Sequence, residues 1–405
     1  MSFPSSRDGT RAPKGWPPSD APGSLAAFIR LQASRRGLKL PRAGAAVLAG
    51  LDYGLEIQLK NGALADFWKH HELPGRPQAI VGSPRPRHYR TTSKRRLPEA
   101  DAGDAPLLEP REHASVFAAV GERLRLPEFK PLARSLNFVI IRGTYEEFQV
   151  IFNLHAMNRE VNRLLLKLVA VLRGLEANVI SAFLYLDPSR SHYYLEADRP
   201  RGPFPIKKLF GPERFRLRLG DLTFAVPPVT FSQVNESLLP LLLGNVSELL
   251  AGEGRKRLLD LYCGYGLFTF SLRPHYREII AVDAAPAAIR AGSSMLSPAP
   301  GQARINFKVL AISRDSLSAA LPPPLAPGAE DVILDPPRHG TDAAVIRSIA
   351  RRRPGRILHL FCASEEMPAA LGLWRRSGYL VRRIVPLDMF AGTPQLETLV
   401  LLSLP

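Results

Sequence analysis

The chain reads as an α/β protein whose C-terminal half is a mostly parallel sheet of seven strands with an antiparallel edge hairpin, preceded by a smaller α+β domain and a basic N-terminal region. Three observations predict the sheet. After about Phe224, the short runs KRLLDLYC, REIIAVD, INFKVL, EDVILD and RILHLFC alternate with helix-length segments. These runs are apolar at nearly every position rather than at every second one, as a parallel sheet covered on both faces requires. The last two runs, YLVRRIVPLD and ETLVLLSL, have no helix between them, so they close the sheet as an antiparallel pair.

In chain order, residues 1–23 are rich in Pro, Ser, Gly and Arg and predict a disordered basic tail. Residues 24–110 form a basic region that opens with a helix in SLAAFIRLQASRR, where apolar residues recur at helical spacing. Residues 111–224 predict the α+β domain. LNFVIIRGT and FQVIFNLH read as paired strands, VNRLLLKLVAVLRGL as an amphipathic helix, and NVISAFLYLD and HYYLEAD as further strands. Residues 225–405 hold the large sheet.

Composition narrows the function classes. The 405 residues, 45% of them hydrophobic, are enough for two or three domains with their own cores. No run approaches the roughly 18 apolar residues of a membrane span, and the first residues lack the apolar core of a secretory signal, so a cytoplasmic protein is expected. Two cysteines cannot supply a disulfide framework, a four-cysteine zinc site or an iron–sulfur cluster, and the nine histidines show no metal-ligand spacing. The expectation is no metal, no iron–sulfur cluster and a monomer. The net charge is +17, and residues 1–100 hold 17 basic against 7 acidic side chains, which points to a polyanion partner. The charge peaks in PRPRHYRTTSKRR, residues 84–96, where Arg87, Arg90, Lys94 and Arg95 suit phosphate contacts and Tyr89 suits stacking on a base. Charge alone does not choose between RNA, DNA and an anionic surface.

In an open parallel sheet, ligands bind at the carboxyl ends of the strands. The first strand leads into DLYCGYGLF, where Gly264 and Gly266 permit a tight turn and close backbone approach to a ligand. The third glycine of a dinucleotide fingerprint is replaced by Thr269, so a pyrophosphate is not the obvious guest. About 20 residues on, Asp283 ends the second strand, where a carboxylate can accept from ribose hydroxyls. In ILDPPRHG, Pro336 and Pro337 stiffen the chain and hold Asp335 at the cleft. Cys362 ends the next strand, and Cys263, inside the glycine loop, reads as packing.

FSQVN (231–235), LDLYCGYG (259–266), DPPRHG (335–340), the strand-end Cys362 and DMFAGTPQLETLVLL (388–402) together resemble the RNA (uracil-C5)-methyltransferase family, over about the last 180 residues. The resemblance implies a Rossmann-like S-adenosyl-L-methionine-dependent methyltransferase domain that makes 5-methyluridine in tRNA or rRNA. It implies Cys362 as the nucleophile that adds to uracil C6, Glu397 as the base for the C5 proton, and Asp335 and Gln233 on the base edge, with Asn235 supporting that loop. For the cofactor it implies Tyr262, Gly264, Gly266, Asp283 and Asp315, with Gln233 and Asp335 bordering its pocket, and for RNA it adds Arg338. The chain departs from the family's Ser-Cys-Asn-Pro, having Phe361, Cys362, Ala363 and Ser364, and His is replaced by Gln395 two residues before Glu397. Two alternatives stay open: an RNA-binding relative without turnover, and a methyltransferase of the same fold with another acceptor.

Overall fold

A computed structural model describes residues 21–42, 44, 46–97, 105–175, 178–190, 206–252, 257–297 and 302–405. Most of the expected tail, and the expected strand HYYLEAD, lie outside the described residues. Helices α1 (Leu25–Arg35) and α2 (Tyr53–His70) come first, followed by strand β1 (Thr92–Arg95) and helices α3 (Ala105–Leu108), α4 (Arg111–Arg125) and α5 (Lys130–Ser135). Next come β2 (Leu136–Gly143), β3 (Phe148–Leu154), α6 (Arg159–Arg173), β4 (Val179–Leu186) and β5 (Ile206–Phe210). A hairpin, β6 (Phe215–Leu219) and β7 (Leu222–Val226), precedes α7 (Leu239–Leu250). The remainder runs β8 (Arg257–Leu261), α8 (Leu267–Leu272), β9 (Glu278–Asp283), α9 (Pro286–Ser293), β10 (Arg304–Val309), α10 (Arg314–Ala320), β11 (Glu330–Leu334), α11 (Ala343–Arg351), β12 (Arg356–Phe361), α12 (Met367–Arg376), β13 (Leu380–Leu387) and β14 (Glu397–Ser403).

The large sheet has the order β10-β9-β8-β11-β12-β14-β13, parallel except where β14 joins β12 and β13. The expected seven strands and antiparallel edge are therefore present. Nearly continuous apolar strands are explained by two covered faces. Leu259, Leu261, Val332, Ile357 and Val400 pack under α1, α2, α11 and α12, while Leu258, Ile333, Leu358, Leu399 and Leu401 pack under α7, α8 and the β6–β7 hairpin.

The smaller sheet has the order β1-β2-β3-β4-β5 and buries one face against α4, α5 and α6. Helix α6 forms because Asn158 caps it by accepting from Val161 N, and Leu164, Leu165, Leu168 and Leu172 then fall on one buried stripe.

The N-terminal region corrects the sequence reading. It does not stand apart as a basic arm: Leu25, Ile29, Leu64, Phe67 and Trp68 share the core of the large sheet. Residues 78–95 then thread between the two sheets, Gln78 and Val81 bonding to the β13 backbone and β1 pairing with β2. Helix α2 is locked to the segment before β14 by a buried ionic cluster. Lys60 Nζ lies 2.7 Å from Glu56 Oε1 and 2.6 Å from Asp388 Oδ1, Tyr53 donates to Asp388, and Gly392 N donates to Glu56.

Candidate active site

The parallel strands deliver their carboxyl ends to one edge, and because β14 is antiparallel its first residue arrives at that same edge. The pairing of β12 with β14 runs from Arg356↔Ser403 to Phe361↔Thr398. Continuing this register by one residue sets Cys362 opposite Glu397, and directly opposed residues of an antiparallel pair bring their Cβ atoms to about 5 Å. Cys362 Sγ approaches Pro336 O at 3.9 Å, so the thiol also lies against the Asp335–Gly340 turn.

This corner is poor in solvent and rich in acid. Burial pushes the Cys362 thiol up to about 12, Glu397 and Asp335 add to the rise, and Arg338 opposes it. Glu397 is 4% exposed, its Oε2 has no hydrogen-bond partner, and burial followed by repulsion from Asp335 raises it to about 8. Burial, then Asp260 and Asp283, raise Asp335 to about 7. Arg338 is the nearby cation, exposed and stacked over Phe390 at 5.9 Å from the ring centroid.

The adjacent glycine loop leaves open backbone beside this corner. Tyr262, Gly264 and Gly266 all adopt positive φ, +64°, +56° and +92°. A Cβ at Gly266 would meet the Phe307 and Phe270 rings at 2.9–3.2 Å, whereas one at Gly264 meets nothing within 4 Å. Gly266 is thus demanded by packing, and Gly264 leaves open space beside the backbone. Asp283 holds the loop by accepting from Gly264 N at 2.9 Å and from Ala285 N at 2.7 Å, while Asp260 is fully buried with Oδ1 unpartnered. Thr341 lies near the Tyr262 hydroxyl, and its Oγ1 meets His359 Nε2 at 3.3 Å. Trp374 Nε1 donates to His359 Nδ1, so Nε2 carries the His359 proton and donates to Thr341, and burial pushes this histidine down to about 3. Thr341, directly after the Asp335–Gly340 turn, therefore lies between that turn and the glycine loop.

Gln233 is nearly buried in the loop after β7. Asn235 anchors that loop, donating to Ser83 Oγ at 2.9 Å and Met389 O at 3.2 Å and accepting from Ser237. Cys263 is buried among Ala281 and Ile289, as its packing role predicts.

Four other expectations are corrected. Asp315 is not gathered with the loop: its side chain is 95% exposed in the first turn of α10, ion-paired with Arg314. Tyr89 is 0% exposed and donates to Ala391 O, so it cannot stack on a base. Arg87 is spent on the carbonyls of Leu48, Ala49 and Leu51 and on Glu56, and Arg95 pairs with Glu109 beneath the Phe117 ring. Arg90 is half-buried, its Nε donating to Thr92 O, while Lys94 stays exposed with Nζ 4.5 Å from the Phe138 ring centroid. Sequence reasoning missed Thr341, and Glu366, which the 3₁₀ turn Ser364–Glu366 after Cys362 sets against Gly340; the acidic pair following Cys362 in CASEE was the available signal for the second.

Among the described residues no cluster of His, Cys, Asp and Glu could hold a metal ion, and no helix is long and apolar enough to cross a membrane. No protein-family model matches the chain. Curated relatives include an uncharacterized RNA methyltransferase of Halalkalibacterium halodurans, 28% identical over 201 residues, covering 49% of this chain and 42% of the relative. Another, of Thermotoga maritima, is 32% identical over 206 residues, covering 50% and 44%. The chain thus spans about two fifths of the length of these relatives. Among solved structures, the tRNA (uracil-54, C5)-methyltransferase of Pyrococcus abyssi in complex with S-adenosyl-L-homocysteine superposes with a TM-score of 0.65 at 21% identity, over 90% of this chain and 85% of that one. The resemblance to RNA methyltransferases is borne out by relatives of that name, and the fold is that of an S-adenosylmethionine-dependent methyltransferase.

Proposed function

We propose that the chain transfers a methyl group from S-adenosylmethionine to C5 of a uridine in tRNA or rRNA, through a covalent bond between Cys362 and uracil C6. The observation that carries this is the β12–β14 register, which sets a strand-end thiol against a buried carboxyl, one of whose oxygens lacks a hydrogen-bond partner, beside the glycine loop. The names of the relatives and the activity named for the P. abyssi neighbour support the choice of RNA and of uracil.

When bound, S-adenosylmethionine supplies a sulfonium methyl, an electrophile. Uracil C5 is too weak a nucleophile to attack it unaided. Addition of the Cys362 sulfur to C6 pushes the C5=C6 electron pair onto C5 and O4, and splits one hard step into two easier ones. After methylation at C5, Glu397 takes the C5 proton, the double bond re-forms and the C6–S bond breaks. A carboxyl raised to about 8 suits that task, because the best general bases titrate near working pH. Asp335 and Gln233 hydrogen-bond the base edge, Tyr262, Gly264 and Gly266 hold the cofactor, and Asp283 accepts from the ribose while holding the loop.

The raised thiol favours one second reading, an RNA-binding protein without turnover. Nucleoside mass spectrometry of unmodified tRNA and rRNA transcripts incubated with the protein and S-adenosylmethionine separates the two. The expected result is 5-methyluridine with the wild type and none with Cys362→Ala. Its absence from both RNA pools with the wild type, under conditions where the RNA is bound, would overturn the enzymatic reading.

A further inference from the structure

The thiol poses a problem that Glu397 and Asp335 do not solve. Cys362 stands well above the ordinary thiol range, so at neutral pH it is protonated, and the S–H proton must leave as sulfur adds to C6. Glu397 has to be ionised later for the C5 proton, and Asp335 faces the base edge. The chain also lacks the Asn-Pro that comes after the nucleophile in the family it resembles, having Ala363 and Ser364 there.

Beyond Cys362 the chain instead makes a single 3₁₀ turn, Ser364–Glu366, in which Glu366 N donates to Ala363 O at 3.3 Å. The turn folds Glu366, four residues beyond Cys362, back onto the Asp335–Gly340 segment. There its carboxylate lies so close to Gly340 that a Cβ built on that glycine would collide with Oε2. Gly340 also has φ +75°, so the position favours glycine twice over. Thiol and carboxylate are therefore held against the same six-residue turn, Cys362 at Pro336 O and Glu366 at Gly340. Glu366 is half-buried and its charge is felt at the thiol. The other ionisable groups sharing these surroundings are Glu365 on the same turn, Asp335, Arg338 and His339 on the facing turn, and Glu397 on β14.

We infer that Glu366 is the proton acceptor for Cys362, directly or through one water, in the covalent step of the proposed uracil methylation, on which this assignment rests. The S–H bond breaks and its proton passes to Glu366. The sulfur pair forms the S–C6 bond, and the C5=C6 pair moves to the C5–C4–O4 enolate. When the adduct later collapses, Glu366 returns the same proton to the departing sulfur, so the residue ends the cycle as it began. Burial and the neighbouring Glu365 raise Glu366 to about 7, which matches such a shuttle to neutral pH.

The test is the rate of adduct formation with a 5-fluorouridine RNA and S-adenosylmethionine, sampled by rapid quench on denaturing gels between pH 6 and 9.5. Glu366→Gln should slow the adduct about 100-fold at pH 7, the contribution of a general base, and Glu366→Asp should recover to within about tenfold of wild type. The gap between Glu366→Gln and wild type should narrow as pH rises and hydroxide substitutes for the carboxylate. Calorimetric S-adenosylmethionine binding by both variants should equal wild type. Alkylation of Cys362 by iodoacetamide without RNA should move the other way. Removing a negative charge near the thiol lowers its pKa, so Glu366→Gln should react as fast as wild type or faster. An adduct rate within twofold of wild type for Glu366→Gln would overturn the assignment alone, and so would loss of cofactor binding or slowing of both reactions together. A wild type that forms no adduct would refute the methylation reading and the assignment with it.

Discussion

Cys362 and Glu397 are 35 residues apart in sequence and meet only because β14 enters the sheet antiparallel to β12. Cys362 was legible as a candidate from its strand-end position, as were Asp335, Asp283 and the two glycines, since strand ends are set directly by apolar runs; Glu397 came from the family resemblance. What the sequence could not convey is how dry the corner is. Asp260, Asp335 and Glu397 all stand above their unfolded values, at about 7, 7 and 8. A folded pKa raised above the unfolded one means that the native state binds the proton more tightly. The stability these groups contribute is complete below pH 4 and is lost as pH rises through 7 to 8. The urea midpoint should therefore fall between pH 6 and pH 9. Glu397→Gln should remove the part of this loss that runs up to about pH 8, worth on the order of a few kcal/mol. A midpoint that climbs over this range would contradict the burial of these carboxyls. Asp315 was misplaced because it comes after a strand at the correct edge, yet the first turn of α10 directs it to solvent.

Helix α2 is one of the elements that sequence patterning missed, and its ionic cluster explains why. Glu56 and Lys60 occupy positions facing the core, and Gly54 and Gly62 interrupt the pattern, so the apolar stripe is broken where the helix is most deeply buried. The charges are satisfied only by Asp388, Tyr53, Arg87 and Gly392 N, which come from the helix's own first turn, from the chain after it and from far beyond it. The cluster fastens α2 to the segment 388–392 that leads into Glu397. Lys60→Met would leave Glu56 and Asp388 buried with their shared cation gone, and should cost about 3–5 kcal/mol in urea denaturation. A loss under about 1 kcal/mol would show that the cluster does not hold the segment. The β12 and β14 strands, by contrast, could be read almost to the residue because they are buried along nearly their whole length and need no distant partner.

Across the whole molecule, the positive charge of the first hundred residues was visible but its distribution was not. Whether an arginine faces solvent depends on partners such as Glu56 and Glu109 that composition cannot assign. Arg87 and Arg95 went to structure, and Lys94 and Arg96 remained outside, both over Phe138 at the edge of the smaller sheet. If these two touch phosphates, Lys94→Ala with Arg96→Ala should weaken RNA binding and lower the slope of log K against log salt by about 1 per side chain. An unchanged slope would remove them from the interface. The architecture as a whole, two sheets clamped by an N-terminal region around one strand-end edge, brings a thiol, a buried carboxyl and the glycine loop to that edge. The most direct test is a denaturing gel of the protein with labelled RNA and S-adenosylmethionine. The account predicts a cofactor-dependent shifted band for wild type on 5-fluorouridine RNA and for Glu397→Gln on ordinary RNA, and no band for Cys362→Ala on either. A shifted band that survives Cys362→Ala, or full methylation by that variant, would contradict it.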